Sequence, residues 1–481
     1  MNDLAGARQT DAHDSTRWKT RAILFAVLLA GSLVAAGLAW NHEHGRALAQ
    51  ERVALAHGLA LHAAELRDTD FDAARKLGTA AVGIHSDEQT RAGLVDTLVD
   101  TYGRALSPLI QEPSHEVTVS GDGRVALSND GGEANVWDLK SWTDPKAIRK
   151  PDQVPPLKGR EGASVNTTAL SFDGRTALTG DDGDTTTVWD LTDLAKPVRL
   201  ATMAADRTAQ STNGVKKAAL SRDGRTAVIV DHDGVMTVWD LADRSHPKRL
   251  SATGSDTVPI RDFALSADGR TVAAVDDHNK VAVWDASAAE HPVKAADLDL
   301  SMKFSQSATR TAMSADGHVV LVQRAGQIEI WNLNDRARPV RHTTLDLSFD
   351  KLYGTYDMSL TPDGKRVLVA GPSGSGTLWD LSDPAKPARL ATLNGHMPEV
   401  ESVALGTDGH LALMAGSSGV YFWNLTGLDE IVADPKQASC DRYSAEISKA
   451  EWARYAGDAD WSEYKSEDAD SVSVCLIDWW S

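Results

Sequence analysis

Leu360 to Leu381 reads LTPDGKRVLVAGPSGSGTLWDL, and its order of an apolar residue, Asp-Gly and then a Trp 15 or 16 residues after the Asp occurs seven times in the chain. The Asp-Gly pairs begin at Asp122, Asp173, Asp223, Asp268, Asp316, Asp363 and Asp408, and Trp137, Trp189, Trp239, Trp284, Trp331, Trp379 and Trp423 answer them. Successive Trp residues are 52, 50, 45, 47, 48 and 44 apart. A period in the forties with four short strands per unit marks the blade of a β-propeller, so seven copies predict an all-β ring of seven blades.

Within a unit, a large apolar residue stands three positions before each Asp (Val119, Leu170, Leu220, Leu265, Met313, Leu360, Leu405) and a short one precedes it, which suits an innermost strand in tight quarters. Asp-Gly is expected to reverse the chain in a two-residue hairpin. The second strand, such as Arg366 to Ala370, leads through a Gly-rich turn to a β-branched run ending in Trp: TTTVW, VMTVW, KVAVW, QIEIW. Eight residues beyond Trp come Pro145, Pro197, Pro247, Pro292, Pro339 and Pro387. Proline cannot donate to a ladder, so each is read as opening the outermost strand, an edge. The seventh unit has Ile431 there, and its outer strand is expected from Pro108-Leu109-Ile110, closing the ring.

LTPDGKRVLVAG with LWDL, and its companions LSFDGR/VWDL, LSRDGR/VWDL and LSADGR/VWDA, resemble the WD-repeat (WD40) propeller family over about Leu109 to Leu425. The Gly-His that this family places before the inner strand survives only as Gly395-His396, which implies that the His-centred network of standard blades is missing from most of these. The segments after each WDL and the flanks of the ring are similar to actinobacterial membrane-associated WD-repeat proteins. Some of those carry an ATPase or kinase domain ahead of the propeller, and residues 1–106 show no motif of either.

Residues 1–20 read as a cytoplasmic tail, and 21–40 as a transmembrane helix, because Ala22 to Trp40 holds 19 residues without a charge. Arg17, Lys19 and Arg21 crowd its start, so the positive-inside bias puts the N-terminus in the cytoplasm and the rest outside the cell membrane, single-pass. A cleaved signal peptide is the competing reading, and it exports the ring equally. Residues 41–106 read as a stalk of three helices. Thr69-Asp70-Phe71-Asp72 and Ser86-Asp87-Glu88-Gln89 start two of them, and Leu59, Leu61, Leu66, Ala73, Leu77, Leu94 and Leu98 form the packing stripe. The propeller is assigned 107–427.

Residues 428–481 form an acidic α-helical tail, in which Ser448-Lys449-Ala450-Glu451 caps a short helix. It holds the only two cysteines, Cys440 and Cys475, which read as a disulfide in an exported protein, and the resemblance implies the same pairing.

Net charge is −19, from 49 basic and 68 acidic residues, which argues against nucleic acid as a partner. The sequence has no Walker loop, dinucleotide-type glycine loop, nucleophile elbow or HExxH, so no catalytic or metal-ligating residues are assigned and no cofactor is required. The seven Trp read as packing between blades. One feature departs from the repeat. The turn between second and third strands is acidic in three consecutive units: Asp181, Asp182 and Asp184, then Asp231 and Asp233, then Asp276 and Asp277. Good turn formation explains Asp there, and a contiguous face receiving a basic protein or peptide, or Ca²⁺, is the functional alternative. The sequence thus points to a membrane-anchored, extracytoplasmic, non-enzymatic interaction platform. Its rivals are an exported hydrolase or lyase working at the ring's central opening and a ligand sensor acting through a membrane partner.

Overall fold

The computed structural model describes residues 46–476 apart from 104–113, 141–151, 205–213, 253–257, 289, 301–307, 325, 348–356, 372–373, 396–397, 444–445, 458 and 460–470. The chain divides into two compact units, Val95–Ala438 and the pair Met1–Leu94 with Ser439–Ser481. The apolar run 22–40, the Pro108 segment and His396 lie outside the described residues. Among the described residues no helix is long and apolar enough to cross a membrane.

Among the described residues the larger unit carries seven antiparallel sheets in chain order, six of four strands and a last one of three. Blade 2 is typical: inner strand Val165–Leu170, second strand Thr176–Asp181, third strand Thr185–Asp190 and outer strand Val198–Ala204. Its outer strand starts on the residue after Pro197, as those after Pro247, Pro292, Pro339 and Pro387 start at Lys248, Val293, Val340 and Ala388. Proline fixes the entry and the following residue makes the first ladder pair, Val198 with Asp190. Blade 7 shows Ser402–Leu405, Leu411–Gly416 and Gly419–Asn424.

The Asp-Gly turn differs from the expected two-residue hairpin. The closing pair is Ser120 with Val125, so four residues lie between the paired positions, and only the Gly sits at positive φ, 70° at Gly123. Side chains take over the turn chemistry: Ser120 Oγ donates to Asp122 Oδ1 at 2.7 Å and accepts from Val125 N at 3.0 Å, while Asp122 Oδ1 also accepts from Arg124 N. Short hydroxyl and carboxylate side chains bond nearby backbone in this way and so stabilise a longer loop. The set recurs at Ser171/Asp173, Ser221/Asp223, Ser266/Asp268, Ser314/Asp316 and Thr361/Asp363, and Gly406 omits the hydroxyl in blade 7.

These turns are also tied to one another. Phe172 N donates to Arg222 O, Arg222 N to Ala267 O, Ala267 N to Ala315 O and Ala315 N to Pro362 O, passing one backbone bond from blade to blade. The series ends at Pro362 because proline has no N–H.

The Trp of each of blades 1 to 6 packs on the preceding blade of the ring. Trp189 meets Val125, Leu127 and Val136 of blade 1, and Trp331 meets Val275 and Val283 of blade 4. Trp137 packs with Leu413, Val420 and Phe422 of blade 7, so one apolar cluster joins the last blade to the first. Each indole joins a cluster of aliphatic residues from two sheets, and burying a large apolar side chain in this way contributes about 2–3 kcal/mol. Polar bonds flank the apolar cluster at the closure: Ser114 N donates to Gly416 O, Val117 N to Ser402 Oγ, and His115 Nδ1 lies 2.6 Å from Glu401 Oε2.

The smaller unit pairs helices from one end of the chain with segments from the other. Helix α1 is described over 46–66, and α2 spans Phe71–Ile84 with Asp70 capping Ala73 N. Helix α3, Glu88–Gly103, begins one residue later than the expected cap: Asp87 Oδ1 accepts from Thr90 N, and Thr90 Oγ1 accepts from Asp87 N. Leu59, Ala60, Ala63 and Leu77 share a core with Ile447, Trp452, Val472 and Val474. Leu61, expected in the stripe, is 60% exposed, because the buried face of α1 runs through Ala56, Leu59 and Ala63 and residue 61 points elsewhere. Ser448 and Glu451 make the full capping box of the short helix Lys449–Tyr455. Cys440 and Cys475 are bonded, with Cα atoms 5.9 Å apart. Ser439 Oγ and Thr79 Oγ1, both buried, share a 2.8 Å hydrogen bond.

Candidate binding face

The turns between second and third strands lie at the opposite ends of the strands from the Asp-Gly turns. The structure divides the seven candidate carboxylates into two kinds. Asp181, Asp184 and Asp231 are buried and Asp276 is half-buried, whereas Asp182, Asp233 and Asp277 are exposed, one in each of blades 2, 3 and 4.

The covered ones hold the backbone. Asp181 Oδ1 accepts from Gly183 N and Thr185 N, and its Oδ2 from Arg160 N. Asp231 Oδ1 accepts from Val235 N, and Asp276 Oδ1 from His278 N and Lys280 N. Asp184, at φ 62°, reaches the next blade, where its Oδ1 accepts from Gly214 N at 2.8 Å. Gly214 itself has φ 80°, and a Cβ there would lie 2.4 Å from Asp182 Cα, so only glycine lets the strands approach this closely. Burial pushes the Asp231 carboxyl above its ordinary range, and the charges of Asp233 and of Asp184 on the neighbouring blade add to the shift. Of the exposed three, Asp182 Oδ1 accepts from Ser164 N and Asp277 pairs with Arg261 Nε at 2.6 Å. No set of three His, Cys, Asp or Glu side chains is placed to hold a metal ion among the described residues.

A second polar row, which the sequence reading missed, runs along the start of the inner strands. Six positions before each Asp-Gly Asp stand Glu116, Thr167, Lys217, Asp262, Arg310, Asp357 and Ser402. The inner strand has a free edge, and these side chains satisfy the N–H groups of its neighbour. Glu116 Oε2 accepts from Thr168 N at 2.6 Å, Asp262 Oδ2 from Thr311 N at 2.6 Å, Asp357 Oδ2 from Val403 N at 2.9 Å, and Ser402 Oγ from Val117 N at 3.2 Å. Charges pair across blades as well: Lys217 Nζ is 2.5 Å from Asp262 Oδ1, with Arg310 4.0 Å from the same oxygen. The signal was a polar residue at one fixed offset in all seven repeats, visible only when the copies are aligned on Asp-Gly.

Glu116 is the outlier. Burial pushes its carboxyl up to about 7, against the pull of the Thr168 N–H and the Thr167 hydroxyl, with Asp357 raising it further and Lys217 lowering it. It is half-buried by area yet enclosed by protein groups, which is where desolvation acts most strongly.

No protein-family profile matches the chain, and no curated protein does. Among solved structures, a chain in the crystal structure of a mitotic checkpoint complex superimposes with a TM-score of 0.52 at 15% identity, over 67% of this chain and 92% of that one. The ring has a WD40-like propeller fold. In all, 1759 chains of known structure match, so the likeness gives an architecture and no activity.

Proposed function

We propose that the protein is a non-enzymatic binding platform whose propeller receives a basic protein or peptide on the face carrying the acidic turns. One observation carries this reading: Asp182, Asp233 and Asp277 are exposed at equivalent turns of three adjacent blades, with one bond from Ser164 N to Asp182 and an ion pair between Arg261 and Asp277, while the remaining carboxylates of those turns are buried or half-buried. Covered carboxylates supply the turn geometry, and the exposed ones add a negative field available to a partner. The same oxygens suit Ca²⁺ less well, since Asp181, Asp184, Asp231 and Asp276 already accept backbone hydrogens.

In this reading residues 21–40 anchor the chain in the cell membrane, single-pass, with the N-terminus cytoplasmic and the ring outside. The Cys440–Cys475 bond supports an oxidising location. The enzyme rival has Glu116 in its favour, because a carboxyl held near neutrality is a common general acid. Both of its oxygens already serve the junction with blade 2, which favours a structural role. Isothermal titration with an oligolysine peptide tests the platform: binding that weakens steeply with added salt is expected, and no binding at low salt overturns it. Protease added to intact cells should digest the ring, and survival of the ring would contradict the assigned side of the membrane.

A further inference from the structure

Cations gather on the inner-strand starts of blades 3, 4 and 5 beyond what the local carboxylates neutralise. Lys216 and Lys217 come from blade 3, Arg261 from blade 4 and Arg310 from blade 5, and the carboxylates that meet them are Asp262 and Asp277. Local strand geometry collects them. Each of these inner strands shifts register near this point, between the residues paired with Val230 and Asp231, between Ile260 and Asp262, and between Ala308 and Arg310. The extra residue of the bulge is Lys216 in blade 3 and Arg261 in blade 4, each left out of the ladder and so re-aimed.

Asp262 is fully committed. One oxygen takes Lys217 and the more distant Arg310, and the other accepts from Thr311 N and Thr311 Oγ1. Asp277 takes Arg261. Two donors are left over. The Lys216 ammonium makes no hydrogen bond or ion pair among the described residues, and Arg310 Nε is buried without a hydrogen-bond partner among them. Burial lowers the Lys216 pKa, and Arg261 and Arg310 lower it against the opposing pull of Asp277 and Asp262. A half-buried amine that feels the charge of two guanidinium groups is stabilised by an added anion, and a buried N–H without an acceptor is stabilised by gaining one.

We infer that Lys216, Arg261 and Arg310 form a carboxylate-binding subsite at the inner edge of blades 3 to 5. The ligand group is a planar carboxylate, which the Arg310 guanidinium fork matches in shape and to which Lys216 adds a point charge, while Arg261, held by Asp277, contributes positive charge beside them. In a chain of net charge −19, such a cluster is an exception to the surrounding field. Joined to the acidic turns of blades 2 to 4, it selects a basic partner segment that also presents one carboxylate. This last step rests on the platform reading, whereas the subsite itself does not.

Lys216 supplies the readout. The full chain is treated with an amine-acylating reagent at neutral pH, and modification of Lys216 and of the exposed outer-strand Lys248 is followed by peptide mass spectrometry. Succinate should slow acylation of Lys216 several-fold and leave Lys248 unchanged, while sodium chloride at matched ionic strength should not. Arg310→Gln should remove the protection, and unchanged Lys248 labelling with an unchanged melting temperature shows that this variant is folded. Equal rates with succinate and chloride overturn the subsite. A lysine-rich peptide with one Glu, compared with its Gln twin, separates the sources of the carboxylate: Lys216 protection by the Glu peptide alone supports a partner segment. If both peptides bind and neither they nor succinate protect Lys216, the subsite fails and the platform reading stands. If neither peptide binds while succinate protects, the platform reading fails and the subsite stands as one for small acids.

Discussion

On the Asp-Gly face, six of the seven turns place a hydroxyl and a carboxylate in the same bonds, and backbone groups pass hydrogen bonds from one blade to the next. On the opposite face the equivalent turns differ from blade to blade, acidic in blades 2 to 4 and Arg324-Ala325-Gly326 in blade 5. One end of each strand is thus held to a fixed chemistry by the geometry of the ring. The other end is free to vary, and there the exposed carboxylates and the cations Lys216, Arg261 and Arg310 collect. Repetition marks what the fold requires, and departure from it marks where a ligand can act.

The helical unit is the control for that contrast, and it has the largest expected effect. Replacing Cys440 and Cys475 with Ser opens a loop of sequence separation 35 and should lower that unit's stability by about 4 kcal/mol in the chain-entropy picture, seen as an earlier transition in calorimetry. Binding of oligolysine by the ring should not change. A loss of binding in parallel would show that the face depends on the helical unit and would break the separation between the two.

Next comes Gly214→Ala on the variable face. Positive φ and a Cβ placed 2.4 Å from Asp182 Cα predict a loss of about 3 kcal/mol or more in denaturant titration. An effect below that of an ordinary surface change would mean that the turns of blades 2 and 3 are not locked together through Asp184.

Glu116 gives a smaller effect with a definite sign. Its carboxyl ionises near 7 in the folded ring and near 4.5 unfolded, so the folded state binds the proton more tightly. Stability is fullest below the unfolded value, falls as pH rises between the two, and is level above about 7. Glu116→Gln keeps an acceptor for Thr168 N and should flatten this slope, raising stability at pH 8 by about 2 kcal/mol. An unchanged pH profile would remove Glu116 as the group responsible.

Smallest in the ring is Ser266→Ala on the constant face. It deletes the bonds to Asp268 Oδ1 and from Thr271 N and should cost about 1 kcal/mol. The matching change in the other five hydroxyl-bearing turns should cost the same, and a wide spread would show that this face is less uniform than its bonds.

The ring was legible because Asp-Gly and Trp recur in register and because proline marks the outer edge of blades 2 to 6, whereas the outer strand of blade 1 is Asp152–Lys158, well beyond Pro145. The strand Arg366–Ala370 and the outer starts at Val198 and Ala388 follow from those residues alone. Turn length was not legible from Asp-Gly, since the deciding hydroxyls of Ser120, Ser171 and their counterparts act through side-chain bonds to residues five positions on. The row from Glu116 to Ser402 escaped for another reason: it is constant in polarity and variable in identity, and its partners sit on neighbouring blades. The acidic turns were visible, but burial separates Asp181 and Asp231 from Asp182 and Asp233 by one or two positions, a distinction that composition does not carry. The disulfide was legible because the tail holds the only cysteines. The core shared by the two ends of the chain was not, because no periodic feature links Leu59 with Trp452.

The most direct test of the binding face exchanges Asp182, Asp233 and Asp277 together for Asn and measures oligolysine binding against salt concentration. Asn also forms these turns, so the melting temperature should be unchanged. The account predicts that the variant loses both the affinity and most of its salt dependence, because exposed carboxylates act over about 8 Å at physiological salt. Unchanged affinity and an unchanged salt slope would contradict it and leave the three carboxylates as turn residues only.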